Sequence, residues 1–125
     1  MKRVGRTNKL TAVILWLFTI SYMGLVFYLS SQSQLLPRLI HGTDKIIHTL
    51  VYFLLALLLY FSLLNSGVRR YLFLISVVFA IIYGISDELH QYYVPGRIAS
   101  IGDVIADSFG ALIGSFLAAR VSSRR

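Results

Sequence analysis

The chain has 125 residues, of which 57% are hydrophobic, and its 12 Lys and Arg against five Asp and Glu give a net charge of +7. A mean hydropathy of +0.74 leaves little polar surface for an ordinary soluble domain, so the composition predicts an integral membrane protein. Cysteine is absent, which excludes disulfides, thiolate metal ligands and cysteine nucleophiles.

Four apolar runs account for most of the chain, at residues 10–29, 46–64, 71–92 and 101–119. A helix needs about 20 apolar residues to cross a hydrocarbon layer of about 30 Å. Because lipid cannot satisfy backbone polar groups, such runs must form helices or a closed barrel, and continuous runs without alternation favour helices. The sequence therefore predicts an all-α polytopic membrane protein, a bundle of four transmembrane helices forming one domain over residues 1–125.

The basic residues lie beside the predicted spans. Four precede the first span, two lie between the second and third, and three follow the fourth, which leaves only Arg38, Lys45 and Arg97 for the other side. The positive-inside rule then predicts that both termini are cytoplasmic. Basic flanks of this kind suit anionic headgroups, so membrane lipids are the expected partners and no nucleic acid is expected.

All five acidic residues lie at span ends on the predicted outer side. They are Asp44, Asp87, Glu88, Asp103 and Asp107. A carboxylate inside the hydrocarbon layer costs about 3 kcal/mol or more unless it is paired with a cation or hydrated, so one found there often has a function. Polar residues that lie on the same side are Lys45, His48, His90, Gln91 and Arg97. The sequence thus predicts a polar site that opens to the outer face, with the turn at residues 94–97 bringing Arg97 back over the acids.

Helical spacing indicates which of these groups share a face. In the fourth span Asp103, Asp107, Gly110 and Gly114 fall at i, i+4, i+7 and i+11, and small residues at such intervals predict close helix packing at Gly110 and Gly114. In the second span Asp44, His48 and Tyr52 form a similar row, and in the third span the row is Tyr83, Asp87, His90 and Gln91, with Glu88 beside it. For Asp44 an alternative role is the N-cap of its helix.

The order of these motifs resembles one family of membrane proteins. The motifs are DKIIH at 44–48, SDELHQ at 86–91, VPGR at 94–97, and the pairs Asp103 with Asp107 and Gly110 with Gly114. Together they resemble the VanZ-like family of small bacterial membrane proteins over residues 44–118, to which the first helix adds little. The family name comes from a protein associated with resistance to the glycopeptide teicoplanin. The resemblance implies a protein of the bacterial cell envelope, without implying a particular reaction.

The leading hypothesis is an outward-facing pocket that binds or processes an envelope lipid or cell-wall precursor. The candidates for general acid and base are Asp87, Glu88, His48 and His90. The candidates for contact with a phosphate or other substrate group are Lys45, Arg97, Gln91, Tyr52 and Tyr83. The candidate ligands of a divalent metal are Asp44, Asp103 and Asp107, because carboxylates suit such ions.

Two other functions are compatible with the same residues. One is a non-catalytic membrane helper protein in which the polar cluster only fixes the helix arrangement. The other is an ion or proton pathway, in which buried carboxylates and histidines commonly carry the ion or proton. The pathway is less favoured because the acids gather near one face and four helices enclose little space, so transport would require an oligomer. The sequence leaves the substrate, the metal and the existence of a reaction open.

Overall fold

The computed structural model describes residues 8–32 and 43–124, and the side chains of residues 43 and 44 lie outside the description. Within those ranges the chain forms four helices and no strand. They are α1 (Lys9–Ser30), α2 (Thr43–Asn65), α3 (Leu72–Tyr92) and α4 (Ile101–Ser123). By length and composition all four can cross a membrane, so the predicted all-α fold with four spans is confirmed.

Two helices extend beyond the apolar runs of the sequence, because polar residues at their ends continue the helical backbone. α2 begins at Thr43 rather than at residue 46, and α4 continues to Ser123 rather than ending at residue 119. At the start of α4 the Ser100 hydroxyl accepts a hydrogen bond of 3.1 Å from the Gly102 amide, which satisfies one of the free donors of the first turn.

The loop between α3 and α4 contains the predicted tight turn. The Arg97 amide donates to the Val94 carbonyl at 3.1 Å, and Gly96 has a φ of 83°, a conformation that glycine adopts without steric cost. The turn prediction is confirmed, and the turn sets the position of Arg97 at the end of the bundle.

α2 and α4 pack closely through small residues of α4. A Cβ atom added at Gly110 would lie 2.1 Å from the Thr49 carbonyl oxygen, and one added at Gly114 would lie 2.3 Å from the Phe53 carbonyl oxygen. No side chain fits at such distances, so glycine permits the two backbones to approach. One turn before Gly110, Ala106 is also buried. This contact fixes the relative position of α2 and α4, the two helices that begin at the polar end of the bundle.

Hydroxyl groups join the helices elsewhere along the bundle. Thr19 of α1 and Ser62 of α2 share a fully buried hydrogen bond of 2.8 Å. On the other side of the bundle Ser76 of α3 donates to Ser115 of α4 at 2.9 Å. In membrane proteins such interhelical bonds contribute on average about 0.6 kcal/mol each, so they favour one helix arrangement without storing much energy.

Candidate functional site

The described acidic residues form a cluster at one end of the bundle. α2 and α4 begin where α1 and α3 end, so residues far apart in sequence meet there. Four acids lie in this cluster, and each is at most 6% exposed: Asp87, Glu88, Asp103 and Asp107. The backbone of Asp44 belongs to the first turn of α2, whereas its side chain lies outside the described residues.

Two side chains of α2 contact the carboxylates of α4. The Lys45 ammonium forms an ion pair with Asp103. The His48 Nδ1 atom lies 2.8 Å from Asp107 Oδ1, and its Nε2 atom lies 3.8 Å from Asp103 Oδ2. His48 is therefore placed between two carboxylates, an arrangement that fixes the plane and the orientation of the ring.

The two acids of α3 face different neighbours. Glu88 Oε2 accepts a hydrogen bond of 3.0 Å from the Ser100 amide at the start of α4. Asp87 Oδ2 accepts longer bonds from the Tyr52 hydroxyl at 3.4 Å and from Gln91 Nε2 at 3.3 Å. The adjacent carboxylates thus contact separate donors, Glu88 toward α4 and Asp87 toward α2.

Three carboxylate oxygens of this cluster are buried and have no hydrogen-bond partner among the described residues. They are Asp87 Oδ1, Glu88 Oε1 and Asp107 Oδ2. Buried polar atoms in proteins are almost always partnered, and an unsatisfied one costs about 1–3 kcal/mol. Three of them in one cluster indicate a site that receives protons, a cation or the donors of a ligand.

A pocket of about 120 Å³ lies beside the acids, between α1, α2 and α3. Its apolar wall consists of Val26, Leu29, Ile47 and Val51, and its polar groups belong to Ser30, His48, Tyr52, Asp87, Gln91 and Arg97. Arg97 Nη1 lies 3.5 Å from the Gln32 carbonyl oxygen. None of the described carboxylate oxygens lies within 4 Å of this guanidinium, so Arg97 lines the pocket without forming an ion pair there.

Six predicted site residues with described side chains do not line this pocket: Glu88, Asp103 and Asp107 belong to the acidic cluster, and His90, Tyr83 and Lys45 have other contacts. His90 Nε2 lies 2.8 Å from the Ser31 hydroxyl, and the ring stacks on Phe27 at 4.2 Å. Three residues along a helix rotate a side chain by about 300°, so His90 faces α1 while Asp87 faces α2. The Tyr83 hydroxyl donates to the Met23 carbonyl, and Lys45 contacts Asp103 instead of lining the pocket.

Several residues that position the site carried little signal in the sequence. Ser30, the last residue of α1, lines the pocket and accepts a hydrogen bond of 2.9 Å from Gln91. Gly84 leaves room for the acids, because a Cβ there would lie 3.1 Å from Asp107 Oδ2 and 3.2 Å from Tyr52 Cε1. In the sequence, the available signal for Gly84 was its place as a small residue one helical turn before Asp87, beside the polar row of α3.

The fold and the site define a class of protein: a multi-pass membrane protein of four helices, with a buried cluster of carboxylates and an imidazole at one end. The model of the VanZ/LLP1 family matches residues 10–122, and the chain belongs to this family. The resemblance seen in the sequence is confirmed, and the match extends through the first helix, which the motifs had left out. No curated protein and no solved structure matches the chain.

Proposed function

We propose that this protein binds an anionic envelope lipid or a lipid-linked cell-wall precursor in the pocket beside the acidic cluster. In this proposal the chain lies in the bacterial cytoplasmic membrane with both termini in the cytoplasm, and the polar end of the bundle faces outward. Membership of the VanZ/LLP1 family supports a role in the cell envelope. It does not extend to glycopeptide resistance, which remains a separate hypothesis.

The observation that carries the proposal is the division of the pocket into an apolar wall and a polar end. Val26 and Leu29 of α1 and Val51 of α2 lie on the apolar side, and Arg97 and Gln91 are among the polar groups. An amphiphile needs both surfaces, because its chain is stabilised by apolar contact and its headgroup by donors. The guanidinium of Arg97 offers several N–H donors in a planar fork that matches phosphate oxygens.

The size of the pocket limits what enters it. Sites for whole drug-sized ligands occupy about 300–1,000 Å³, whereas this pocket measures about 120 Å³. It therefore accommodates a headgroup or a short part of one chain, and the rest of the lipid lies in the bilayer along the bundle. Exposed apolar side chains of α1 such as Leu25 and Leu29 provide a surface for that part.

The pocket also holds groups that could transfer a proton. His48 and Asp87 both line it, and His48 is oriented by Asp107 through the 2.8 Å contact, as an imidazole acting as general acid or base requires. Binding is the part of the proposal that the pocket supports directly, and a reaction on the bound headgroup is the extension that these two residues favour.

The test is native mass spectrometry of the full chain in mild detergent, titrated separately with a short-chain prenyl phosphate and with phosphatidylglycerol. The parent should retain at least one of the two probes, and Arg97→Gln should weaken its binding at least tenfold. Arg120→Gln is the matched control, because Arg120 lies in the last turn of α4, at the far end of the helix from Asp103. Asp87→Asn should also alter binding, since Asp87 lines the pocket.

Two results would contradict the proposal. One is a folded parent that retains neither probe, and the other is equal binding by Arg97→Gln and Arg120→Gln. If Asp87→Asn then changed only the stability of the fold, the polar cluster would act as structural support in a helper protein.

A further inference from the structure

A second group of side chains lies next to the pocket and involves three helices. One nitrogen or oxygen atom of His48, one of Glu88 and one of Asp107 all lie within 4.8 Å of one another. These residues belong to α2, α3 and α4, and only His48 also lines the pocket. We propose that His48, Glu88 and Asp107 form a binding site for one divalent metal ion.

The two carboxylates have the oxygens that such an ion requires. Glu88 is 5% exposed and Asp107 is fully buried. Each has one oxygen engaged, Glu88 Oε2 with the Ser100 amide and Asp107 Oδ1 with His48. The other oxygen of each, Glu88 Oε1 and Asp107 Oδ2, is buried without a hydrogen-bond partner. A metal ion would satisfy these acceptors, which no described donor reaches.

The distances within the group suit coordination of a single ion. Metal bonds to oxygen and nitrogen measure about 2.0–2.6 Å, so two ligands of one ion lie at most about 5 Å apart. The three candidate ligand atoms fall within this limit at 4.8 Å. His48 Nδ1 lies 2.8 Å from Asp107 Oδ1, so the imidazole and this carboxylate are already adjacent.

The chemistry of the ligands narrows the choice of metal. One imidazole with two carboxylates suits Zn²⁺ or Mn²⁺, whereas Ca²⁺ prefers ligands that are all oxygen. Three protein ligands leave a coordination position for water or for an oxygen atom of a bound molecule. Because His48 belongs to both groups, that position would adjoin the pocket. The metal site would then contribute to recognition of an anion there, although its existence does not depend on the proposed function.

The balance of charge at this end of the bundle agrees with a divalent ion. Lys45 pairs with Asp103, which leaves the carboxylates of Asp87, Glu88 and Asp107 against the single imidazole of His48. Several negative charges that are removed from water repel one another strongly. A divalent ion held by Glu88 and Asp107 would neutralise the charges of those two carboxylates. If protons neutralised them instead, the site would have little affinity for metal, and the dialysis experiment distinguishes the two.

The test is equilibrium dialysis of the full chain in detergent, after removal of metal with a chelator and without added lipid, against Mn²⁺ or Zn²⁺ in separate experiments. The parent should bind about one ion per chain. Glu88→Gln and Asp107→Asn should each lower the affinity at least about tenfold, because loss of an outer-shell partner alone costs 10–100-fold. Asp87→Asn is the matched control: it removes the neighbouring buried charge and should change the affinity less than about fivefold.

Thermal unfolding separates loss of a ligand from loss of the fold. The ion should raise the unfolding temperature of the parent by more than that of Glu88→Gln, because the variant binds it more weakly. The metal-free variant should unfold at or above the temperature of the metal-free parent, because it lacks one buried charge. The proposal is overturned if the folded parent binds neither ion, or if Glu88→Gln and Asp87→Asn bind equally well. Since no lipid is added, a negative result in these metal experiments would not contradict the proposed lipid binding. Loss of lipid binding in Arg97→Gln would likewise not contradict the metal site.

Discussion

The replacement of Gly110 by alanine tests whether close packing of α2 and α4 holds the bundle together. The new Cβ would lie 2.1 Å from the Thr49 carbonyl oxygen and 3.0 Å from the Phe53 nitrogen, whereas ordinary contact begins at 3.4 Å. Both obstacles are backbone atoms, so no side-chain rotation relieves the overlap. The helices would have to separate by roughly 1 Å, a repacking for which overfilled cores lose about 1–3 kcal/mol. We expect Gly110→Ala to lower the free energy of unfolding by about 2–3 kcal/mol.

Gly24→Ala is the matched control for this prediction. Gly24 also lies within a helix, but a Cβ there meets nothing within 4 Å, so only helix propensity changes, by at most about 1 kcal/mol in favour of alanine. The assay is reversible unfolding in mixed micelles of mild detergent and dodecyl sulfate, followed by circular dichroism and by fluorescence of Trp16, whose indole donates to Ser66 at 2.8 Å. If the two variants unfold within about 0.5 kcal/mol of each other, the packing argument is wrong.

Three further outcomes follow from contacts of the polar cluster. Lys45→Met should destabilise the bundle in the same unfolding assay more than Lys45→Met combined with Asp103→Leu, because the single change leaves the Asp103 carboxylate buried without its ammonium partner. Gly84→Ala should lower Mn²⁺ affinity in dialysis severalfold, since its Cβ would press on the Asp107 carboxylate at 3.1 Å, and an unchanged affinity would contradict the proposed coordination. His90→Gln should leave binding of Mn²⁺ and of the lipid probes within about twofold of the parent, because its ring faces α1; a larger loss would place His90 in the site.

The number of helices was predictable because it depends on a simple physical limit. A run of about 20 apolar residues has one stable arrangement in a bilayer, and four such runs gave the four helices of the structure. The ends of the helices were harder to predict from the sequence, since they depend on local capping interactions. The extension of α4 to Ser123 passes through Arg120, a charged residue that ends an apolar run without ending a helix.

The composition of the site was predictable only along each helix. Spacing identifies the residues that share a face, but it does not reveal which neighbouring helix that face meets. The row that contained Asp87 therefore also included His90, which the structure directs to α1. The contribution of α1 was hidden for a different reason. Its pocket residues, Val26 and Ser30 among them, belong to an apolar span whose sequence has no acidic residue or histidine to distinguish one face from another.

The glycine contact and the polar cluster depend on each other through their positions on the same turns of α2 and α4. Thr49, whose carbonyl faces Gly110, follows His48 directly in sequence, and Asp107 lies three residues before Gly110, on the same side of α4. The 2.8 Å contact between His48 and Asp107 is therefore made where the two backbones approach closely. Aspartate has a short side chain, and it reaches the imidazole because no side chain at residue 110 separates the helices. At a wider spacing the carboxylate would stand apart from His48, and the three candidate metal ligands could no longer meet around one ion.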